Sequence, residues 1–441
     1  MPNIAQLRQA AREIFAETLQ AVDPGDAVGR AVIRNDQDLR IGDLQFDITN
    51  RRVYCIAIGK AAFTMALTID ESMQGVPLNG LMIGPQLDRE VINQDRWKSF
   101  QGGHPLPTED SLTAASEAFS LLERANQDKA LVIFLLSGGG SAMMEWPASD
   151  TISLPDLQAA NKVLVNCGAS IAEINAVRRA FSAIKGGKLA ARAPQCEQIT
   201  LIVSDVPPGQ EWNVASGPTI DPPADAPDAR AVVDKYQLHD QLPASIMQAM
   251  NSQVARNAAV TNQIRRHFVL LDNNSALQAA AQAAGRRGFV TEIADEISDQ
   301  PIALGCALLI NRLERLRADY RGSGKTVCVI SGGEFSCPVR GDGMGGRNLE
   351  TALRLAINSR LLQFSTAAIC AGTDGIDGNS PAAGALIDNT TLKRAQAIGI
   401  APDDFLKRSD SYSFFVALGD VVSTGPTGTN VRDVRILLSD A

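Results

Sequence analysis

The sequence predicts an α/β protein made of two domains. Short segments that are apolar throughout alternate with segments of helical periodicity, and glycine-bearing turns follow several of the apolar segments. Strands of this kind are typical of a parallel sheet that helices cover on both faces. The chain has 441 residues, which exceeds what one ordinary core accommodates. We therefore expect two domains of alternating strands and helices.

The first half of the chain supplies four predicted strands. The first is Val53 to Ile58, which Gly59 and Lys60 turn into an Ala-rich helix. The others occupy residues 79–85, residues 131–136 and the start of residues 198–209. Predicted helices cover an amphipathic N-terminal segment, residues 108–125 with Thr108 as the N-cap, residues 154–168, and residues 171–190 closed by Gly186 and Gly187.

A second run of strands and helices begins after a polar segment. Residues 221–228, "DPPADAPD", are rich in Pro and Asp, and the helical segments that follow them end near Ala258. Strand, helix and strand then recur within residues 266–295, and further strands are predicted within residues 326–335, 365–378 and 431–440. We place the boundary near residue 258, which gives domains 1–258 and 259–441. Two such domains facing one another would form a cleft, the usual place for a small ligand.

Composition excludes several classes of function. The formal charge of −8 and the isoelectric point near 5.1 argue against a nucleic-acid partner. Seven scattered cysteines without a C-x-x-C motif predict neither a disulfide framework nor a zinc site. The N-terminus is unlike a signal peptide, and apolar runs of about seven residues are too short to span a membrane, which needs about twenty. We expect a soluble cytoplasmic protein without a membrane partner.

The first candidate site is the turn from Ser137 to Ser141, which has three consecutive glycines directly after an apolar strand. Ligands of open parallel sheets bind beyond the carboxyl ends of the strands, where exposed backbone N–H groups attract anions. The alternative is a tight strand-to-helix turn, which needs only one or two glycines. The turn is not a Walker A loop, because no Lys-Ser/Thr pair follows, and Met143 excludes G-x-S-x-G.

Two other strand ends carry a charged residue. Lys60 directly follows the first strand, where its ammonium could reach a phosphate or a carboxylate, although it could equally be a solvated loop lysine. Asp205 lies in the polar turn Ser204–Gly209, where it suits a metal–water shell or an orienting carboxylate. Its simpler interpretation is an Asx turn or a helix cap.

The densest candidate region lies in the C-terminal half. Arg347 is predicted to begin a helix, where its fork could clamp an anion, and Gly341, Gly343 and Gly346 formally match G-x-G-x-x-G. That match is weak because Asp374 lies 28 residues beyond Gly346, too far on to be the expected ribose-binding acid. Gly, Ser, Thr and Asp are more numerous in this region than turns need. The region comprises Ser331, Gly332, Gly333 and Glu334, residues 341–348 with Gly345 and Gly346, residues 371–378, and residues 425–430.

Motifs that depend on histidine are missing. The chain has three histidines, at positions 104, 239 and 267, with neither H-E-x-x-H nor an obvious triad. His104 could bind a substrate, but a loop histidine is more often merely exposed. Acid–base catalysis would therefore have to use Lys, Asp or Glu. This suits phosphoryl transfer, because positioning and charge neutralisation matter more there than a strong base.

Eight motifs in order resemble the glycerate 2-kinase family, whose C-terminal half is the MOFRL domain. They run from about residue 50 to residue 438 and read "IGKAA", "LLSGGGSA", "INAVRRAFSAIKGGKLA", "SDVPPG…ASGPT", "SGGE", "GMGGRNLE", "AGTDGIDG" and "GPTGTNVRDV". One such motif would be weak, but eight in order are highly specific. Some members of this family are labelled hydroxypyruvate reductase, from a pathway association.

The resemblance implies ATP-dependent phosphorylation of D-glycerate at its 2-hydroxyl with Mg²⁺, giving 2-phosphoglycerate and ADP. It implies a Rossmann-like N-terminal domain and a smaller α/β C-terminal MOFRL domain around an interdomain cleft. The family's proposed catalytic pair maps onto Lys60 and Arg347. A departure at Gly209-Gln210-Glu211, where members commonly have an acidic stretch, leaves Asp205 as the better metal candidate in that loop.

We expect the remaining candidates to bind substrate or nucleotide, with Asp205 and Asp374 also considered for Mg²⁺; they are Ser137, Gly138, Gly139, Gly140, Ser141, Asp205, Gly332, Gly333, Glu334, Gly345, Gly346 and Asp374. The rival enzyme is an NAD(P)H-dependent hydroxypyruvate reductase, in which residues 341–346 would form the dinucleotide loop. The non-enzyme alternative is a two-domain module that closes on a small acid. The sequence leaves the assembly open, with a homodimer as one option.

Overall fold

The computed structural model describes residues 3–85, 92–252, 264–358 and 364–441. Its strands are β1 (Val32–Asn35), β2 (Asp38–Ile41), β3 (Leu44–Asp47), β4 (Val53–Ile58), β5 (Leu78–Gly84), β6 (Trp97–Gln101), β7 (Leu131–Ser137), β8 (Glu197–Val203), β9 (Arg265–Leu271), β10 (Val290–Ile293), β11 (Thr326–Gly333), β12 (Thr366–Gly372), β13 (Gly384–Asp388), β14 (Val421–Val422) and β15 (Asp433–Asp440). Its α-helices are α1 (Ile4–Ala21), α2 (Pro24–Ala31), α3 (Ala62–Ser72), α4 (Glu109–Asp128), α5 (Gly140–Met143), α6 (Leu154–Asn166), α7 (Ile171–Phe181), α8 (Ala229–Lys235), α9 (Ala244–Asn251), α10 (Asn273–Arg286), α11 (Ile302–Asp319), α12 (Arg347–Ile357), α13 (Thr391–Ala397), α14 (Pro402–Arg408) and α15 (Ser411–Leu418). Two short 3₁₀ helices cover Ala190–Arg192 and Glu211–Ser216.

The chain forms two compact units. One is Pro24–Leu270, and the other combines Met1–Asp23 with Leu271–Ala441. The predicted boundary near residue 258 lies outside the described residues and stays a prediction. Helix α1 was assigned to the predicted domain 1–258, whereas the compact units group it with the residues from Leu271 onward, because it packs against α10 and the sheet formed there.

The unit Pro24–Leu270 contains a six-stranded sheet of order β6-β5-β4-β7-β8-β9. The pairs from β6 to β8 are parallel, as predicted, and their register aligns Ile58 of β4 with Ile83 of β5 and Leu136 of β7. Strands β4 and β7 are buried along their whole length because helices cover both faces of the sheet. Their carboxyl ends therefore meet at one edge.

Helix α4 illustrates how this core is built. Thr108 is its N-cap residue, as predicted, and the Thr108 backbone N–H donates to Ser111 Oγ at 3.0 Å. Ala114, Ala118 and Leu122 recur at helical spacing and pack into the same hydrophobic core as the strands. This periodicity made the helix predictable from sequence.

The structure corrects two features of this unit. Helix α7 ends at Phe181, not at Gly186 and Gly187, because Ser182 is already extended. Those two glycines have positive φ, and their N–H groups donate to the carbonyls of Ser216 and Gly217, so they turn a loop. In addition, β9, predicted as the first strand of the second domain, joins the edge of this sheet. The small antiparallel sheet β1-β2-β3 was not predicted, since each of its strands has four residues.

The other unit contains a six-stranded mixed sheet of order β10-β11-β15-β12-β13-β14. Strands β10 and β11 are parallel, and the remaining pairs are antiparallel. Strand β15 lies between β11 and β12, so Asp433 at its start is opposite both Gly333, which ends β11, and Gly372, which ends β12. This register gathers three glycine-bearing or acidic strand ends at one edge.

Helix α1 completes the second unit. It packs against α10 and against β12, β13 and β15. Arg8 pairs with Asp388 and, at 2.6 Å, with Asp420, while Glu17 pairs with Arg286 at 2.5 Å. Within the described ranges, no helix has the length and apolarity needed to cross a membrane.

Candidate functional site

We use two names for the strand ends that carry the predicted site residues. The Gly138 edge consists of residues 59–60, 137–141 and 204–206 in the unit Pro24–Leu270. The Arg347 edge consists of residues 331–334, 345–347, 372–374 and 431–435 in the other unit.

At the Gly138 edge, the turn after β4 and the turn after β7 are joined by hydrogen bonds. The Lys60 backbone N–H donates to the Gly138 carbonyl at 2.9 Å, and the Ala61 N–H donates to Ser137 Oγ at 2.9 Å. Gly139 has a φ of 81° and precedes helix α5, so the chain reverses there in a left-handed conformation. The structure thus places Lys60 beside the predicted glycine turn.

Close approach of three strand ends explains the glycines. A Cβ on Gly59 would lie 2.4 Å from the Ser137 carbonyl oxygen, and Gly59 itself has a φ of 116°. A Cβ on Gly138 would lie 2.1 Å from Asp205 Oδ2, so the Asp205 carboxylate packs directly on the turn. The Gly138 edge therefore brings together Lys60, the glycine turn and Asp205, which the sequence analysis selected from separate motifs.

Ser141 contacts Ser216, which lies in the "ASGPT" segment that the sequence analysis quoted as part of a motif without a role for Ser216. Its Oγ lies 2.8 Å from Ser216 Oγ, and the Ser216 hydroxyl donates to Asn175 Oδ1 at 2.8 Å. Ala215 and Ser216 both have positive φ, at 51° and 62°, which is strained for residues with a side chain. The available signal was the quoted "ASGPT" segment, but it gave no partner for Ser216.

A buried polar network continues from Asn175. Arg178 donates through Nε to Asn161 Oδ1 at 2.8 Å and through Nη1 to Asn175 Oδ1 at 3.5 Å. Nearby, Glu145 and Lys185 form an ion pair in which both side chains are 1% exposed. Burial lowers the pKa of Lys185, against the opposing effect of Glu145. These residues belong to the predicted "INAVRRAFSAIKGGKLA" motif or its contacts, and the sequence did not reveal their pairing.

At the Arg347 edge, the guanidinium of Arg347 is paired with two carboxylates. Its Nε donates to Asp433 Oδ2 at 2.6 Å and its Nη2 to Asp433 Oδ1 at 3.2 Å, while Glu334 Oε1 lies 2.9 Å from Nη2. Burial by itself would lower the pKa of Arg347, but the attraction of Asp433 and Glu334 outweighs it and raises the pKa. The fork that the sequence predicts to clamp an anion is engaged by Asp433 in the structure, and its binding of a ligand stays a prediction.

Asn273, at the start of α10, ties the glycines of β11 to β15. Its Oδ1 accepts from the Gly333 N–H at 2.8 Å, and its Nδ2 donates to the carbonyls of Val431 at 2.7 Å and Asp433 at 3.1 Å. A Cβ on Gly332 would lie 1.9 Å from Asn273 Oδ1, so this position requires glycine. Gly332 and Gly333 are thus fixed against the start of β15.

Arg435 is fully buried beneath the same strand end. It donates to the Gly333 carbonyl at 3.1 Å and also to the Gly332 carbonyl, and it lies 3.5 Å over the Phe335 ring. Burial lowers the pKa of Arg435, against the attraction of Asp433. Sequence reasoning missed Asn273, Asp433 and Arg435, because each acts through a partner far away in the chain.

Gly345 and Gly346 lead into α12, and side chains of the loop after β12 accept hydrogen bonds from this segment. The Gly345 N–H donates to Asn379 Oδ1 at 2.8 Å, and Asp377 accepts from the backbone N–H groups of Asn348 and Leu349 at 3.0 and 2.8 Å. Burial raises the pKa of Asp377 to about 7, although those two N–H groups act in the opposite direction. Asp377 lies within the quoted "AGTDGIDG" segment, where only Asp374 was selected.

The two carboxylates predicted to bind metal, Asp205 and Asp374, belong to different edges. Asp374 Oδ1 accepts from the Ile376 N–H at 3.2 Å, as in an Asx turn, and Asp205 belongs to the other edge. In the described part of the chain, no group of three or more His, Cys, Asp or Glu side chains is arranged to hold a metal ion. The assignments of Asp205 and Asp374 to a metal therefore stay predictions.

Known proteins resemble this chain over its full length. The family described as "Domain of unknown function (DUF4147)" matches residues 10–251, and the MOFRL family matches residues 327–433. D-glycerate 2-kinase of Thermotoga maritima is 32% identical, with 98% of each chain covered. An Agrobacterium vitis protein, provisionally named as a hydroxypyruvate reductase, is 34% identical, with 99% of this chain and 95% of that one covered.

A solved structure shows the same fold. The crystal structure of glycerate kinase from Thermotoga maritima has a TM-score of 0.82 and 30% identity, and the likeness covers 99% of this chain and 100% of that chain. The DUF4147 match spans more than half of the sequence. The chain therefore belongs to the glycerate 2-kinase family, with a MOFRL region in its C-terminal half.

Proposed function

We propose that this protein is a glycerate 2-kinase, which transfers the γ-phosphoryl group of ATP to the 2-hydroxyl of D-glycerate and releases 2-phosphoglycerate and ADP. The observation that carries the proposal is the full-length likeness to D-glycerate 2-kinase, at 32% identity with 98% of each chain covered. The two edges contain the residue types that this reaction needs, namely cations beside glycine-bearing strand ends.

Lys60 and the turn Ser137–Ser141 would hold the anionic groups at the Gly138 edge. The Lys60 backbone is fixed to the Gly138 carbonyl at 2.9 Å, so its side chain starts from a defined point at the mouth of the sheet. Phosphoryl transfer depends mainly on positioning and on neutralising charge, and an ammonium group supplies that charge. The KM for ATP and the KM for D-glycerate, measured in Lys60→Ala, would distinguish ATP phosphate from glycerate carboxylate as the ligand of this turn.

Arg347 would neutralise charge that develops on the transferred phosphoryl group. Asp433 and Glu334 fix the direction of its guanidinium and keep it protonated, which is the arrangement that a preorganised electrostatic contact requires. In this proposal Gly332, Gly333, Gly345 and Gly346 position the backbone around Arg347, and Glu334 orients its fork.

Mg²⁺ is part of the proposal. A magnesium ion is commonly held by one or two carboxylates together with phosphate and water oxygens, so a protein-only cage is not required. Asp205 fits this role because its carboxylate packs on Gly138 in the glycine turn; Asp374 is the alternative at the other edge. When bound, the ion would supply positive charge to the phosphates of ATP.

The test is the reaction itself. Purified protein with ATP, Mg²⁺ and D-glycerate should form ADP and 2-phosphoglycerate in equal amounts, measured by ³¹P NMR, which separates the 2- and 3-phosphates. A control without glycerate measures background ATP hydrolysis. Formation of 3-phosphoglycerate alone, or of no phosphoglycerate, would contradict the proposal.

A hydroxypyruvate reductase is less well supported. A dinucleotide-binding loop follows its strand directly, whereas β11 ends at Gly333 and the glycine motif begins at Gly341. Cβ atoms on Gly341 and Gly343 would lie 2.7 and 2.6 Å from the Arg408 carbonyl oxygen, so these glycines accommodate protein backbone. Oxidation of NADH on addition of hydroxypyruvate would revive this alternative, and tight glycerate binding without ATP turnover would favour a binding module.

The proposal includes a cytoplasmic location, where ATP is available. All seven cysteines are free thiols, and burial raises the pKa of Cys55, Cys328 and Cys370 well above the usual range. Fractionation of expressing cells, with a cytoplasmic marker enzyme followed in parallel, would test the location.

A further inference from the structure

Arg179, near the end of α7, is a buried cation without a counter-ion. Its side chain is 8% exposed, and its Nη1 has no hydrogen-bond partner. Across the described ranges, no carboxylate lies within ion-pair distance of its guanidinium. The neighbouring Arg178 differs, because Asn161 and Asn175 accept its hydrogen bonds. Arg179 Nη1 therefore lacks the side-chain acceptors that Arg178 has in Asn161 and Asn175.

This arrangement is unfavourable unless another group completes it. Burying a charge without a partner is strongly unfavourable, as is breaking a buried ion pair. The Trp212 ring, whose centroid lies 4.8 Å from Arg179 Cζ, offsets part of that penalty through a cation–π contact. Burial lowers the pKa of Arg179 to about 10, so the side chain is still charged at neutral pH.

Packing holds Arg179 close to the contacts that fix Ser141. A Cβ on Gly186 would lie 2.8 Å from Arg179 Cδ, and the Gly186 N–H donates to the Ser216 carbonyl at 3.2 Å. Ser216 Oγ in turn lies 2.8 Å from Ser141 Oγ. Gly186 thus leaves room for the arginine, and the same segment leads by two hydrogen bonds to the glycine turn.

A second basic residue, Lys188, stabilises the end of α7 and the residue that follows it. Lys188 Nζ donates to the Arg179 carbonyl and to the Ser182 carbonyl, both at 2.6 Å. The nearest buried carboxylate of the network, Glu145, is already paired with Lys185. The local excess of positive charge in an otherwise acidic protein of net charge −8 favours an anionic ligand.

We propose that Arg179, stacked on Trp212, binds an anionic oxygen group of a substrate: the carboxylate of the hydroxy acid or a phosphate of the nucleotide. A guanidinium fork binds both groups bidentately. The identity of the ligand rests on the proposed function, whereas the presence of an anion site does not. Arg179 is therefore a substrate-binding residue beyond Lys60 and Arg347.

The test compares Arg179→Gln and Arg179→Lys with Arg230→Gln, which changes an exposed arginine of α8 in the same unit. KM for D-glycerate and KM for ATP are measured separately. Loss of a charge-assisted contact should raise one of them roughly 10- to 100-fold in Arg179→Gln. Arg179→Lys should recover part of the loss, and Arg230→Gln should match the unchanged protein.

The two KM values separate the sources of the anion. A rise confined to D-glycerate identifies a carboxylate, and a rise confined to ATP identifies a phosphate; either result supports the site. Unchanged KM values together with a lowered midpoint of thermal unfolding would mean that Arg179 only stacks on Trp212, and this would overturn the proposal.

A binding measurement keeps the site testable without catalysis. D-glycerate or inorganic phosphate should raise the unfolding midpoint of the unchanged protein and of Arg230→Gln, and raise it much less in Arg179→Gln. If Arg179→Gln fails to fold, Arg179→Lys takes its place, because the charge is kept and the fork is lost. Absence of glycerate turnover with such stabilisation intact would refute the proposed function alone; equal stabilisation of all variants would refute the anion site.

Discussion

The Gly138 edge and the Arg347 edge present a cation in different ways. At the Gly138 edge, parallel strands are followed by glycines that pack on one another. The backbone N–H of Lys60 donates to the Gly138 carbonyl and holds the base of the lysine side chain there. At the Arg347 edge, the antiparallel strand β15 brings Asp433 between two strand ends, where it pairs with Arg347. The first edge is shaped by close backbone packing, and the second by paired charges.

The two edges orient their cations by different means. A lysine is a point charge on a flexible stem, so a fixed backbone at its base is the main constraint on it. An arginine fork is directed by its own partners, and Asp433 and Glu334 determine the direction of Arg347. Variants that remove the charge, the packing or the partner should therefore have different effects at the two edges.

The largest expected effect comes from removing either cation. Lys60→Ala and Arg347→Ala should each lower kcat by at least roughly 10²-fold, as loss of one preorganised electrostatic contact typically does. Steady-state kinetics with ATP and D-glycerate measures this. Exposed residues of the same type and unit serve as matched controls: Lys98→Ala for Lys60, and Arg315→Ala for Arg347. Unaltered turnover in either test variant would remove that residue from the mechanism.

The packing of the Gly138 edge can be tested by adding one carbon atom. Gly59→Ala should lower the free energy of unfolding by about 3 kcal/mol, because its Cβ would overlap the Ser137 carbonyl and its φ is positive. Gly209→Ala is the control: its φ is 81°, yet nothing lies within 4 Å of the added carbon. Urea denaturation should show a loss of only about 1 kcal/mol there. Equal losses would mean that backbone strain alone explains Gly59.

The Arg347 edge should show a pH dependence through Asp377. Its pKa is about 7 in the folded protein against 3.8 ordinarily, so the folded state retains a proton that the unfolded state releases. This contribution to stability is complete below about pH 4 and is lost as the pH rises through about 7. Between about pH 5 and about pH 7.5 it should lower the free energy of unfolding by about 2 kcal/mol.

Asp377→Asn isolates that contribution. The variant loses one acceptor for the Leu349 N–H, which gives an offset that does not vary with pH, and it lacks the titrating carboxyl group. Urea denaturation at both pH values should therefore show a smaller decline than in the unchanged protein. Identical slopes would show that Asp377 ionises normally.

The smallest expected effect concerns the partner of Arg347. Asp433→Asn should lower kcat about tenfold, because the amide gives Arg347 one neutral acceptor in place of a bidentate carboxylate. If Asp433 acts only by orienting Arg347, the same substitution made in Arg347→Ala should lower kcat no further. Additive losses would instead assign Asp433 a separate role.

The sequence was most informative where the structure is periodic and local. Strands β4, β7, β11 and β15 were predicted close to their observed bounds, because apolar runs bounded by turns are a local signal. Helix α7 was predicted too long, since Gly186 and Gly187 resemble a helix end but serve a loop that meets Ser216 and Gly217. Local patterns could not reveal that distant partner.

The candidate site divides in the same way. Lys60, the glycine turn and Arg347 were selected because each directly follows a strand or begins a helix. Asn175, Ser216 and Asp433 were missed, because their roles exist only through contacts with residues distant in the chain. Arg179 is a further case: its type and position were visible in the sequence, but its lack of a counter-ion appears only in three dimensions.

The placement of β15 has a consequence for biosynthesis. This strand is translated after every other strand of the mixed sheet, yet it lies between β11 and β12. Helix α1, which is translated before them all, packs on the same sheet. A chain that stops before residue 433 would lack β15. Strands β11 and β12 would then have no strand between them, α1 would lose its contacts with β15, and Arg347 would have no Asp433 beside it. Such a product exposes hydrophobic surface that chaperones and proteases recognise, because the mixed sheet closes only when β15 is inserted.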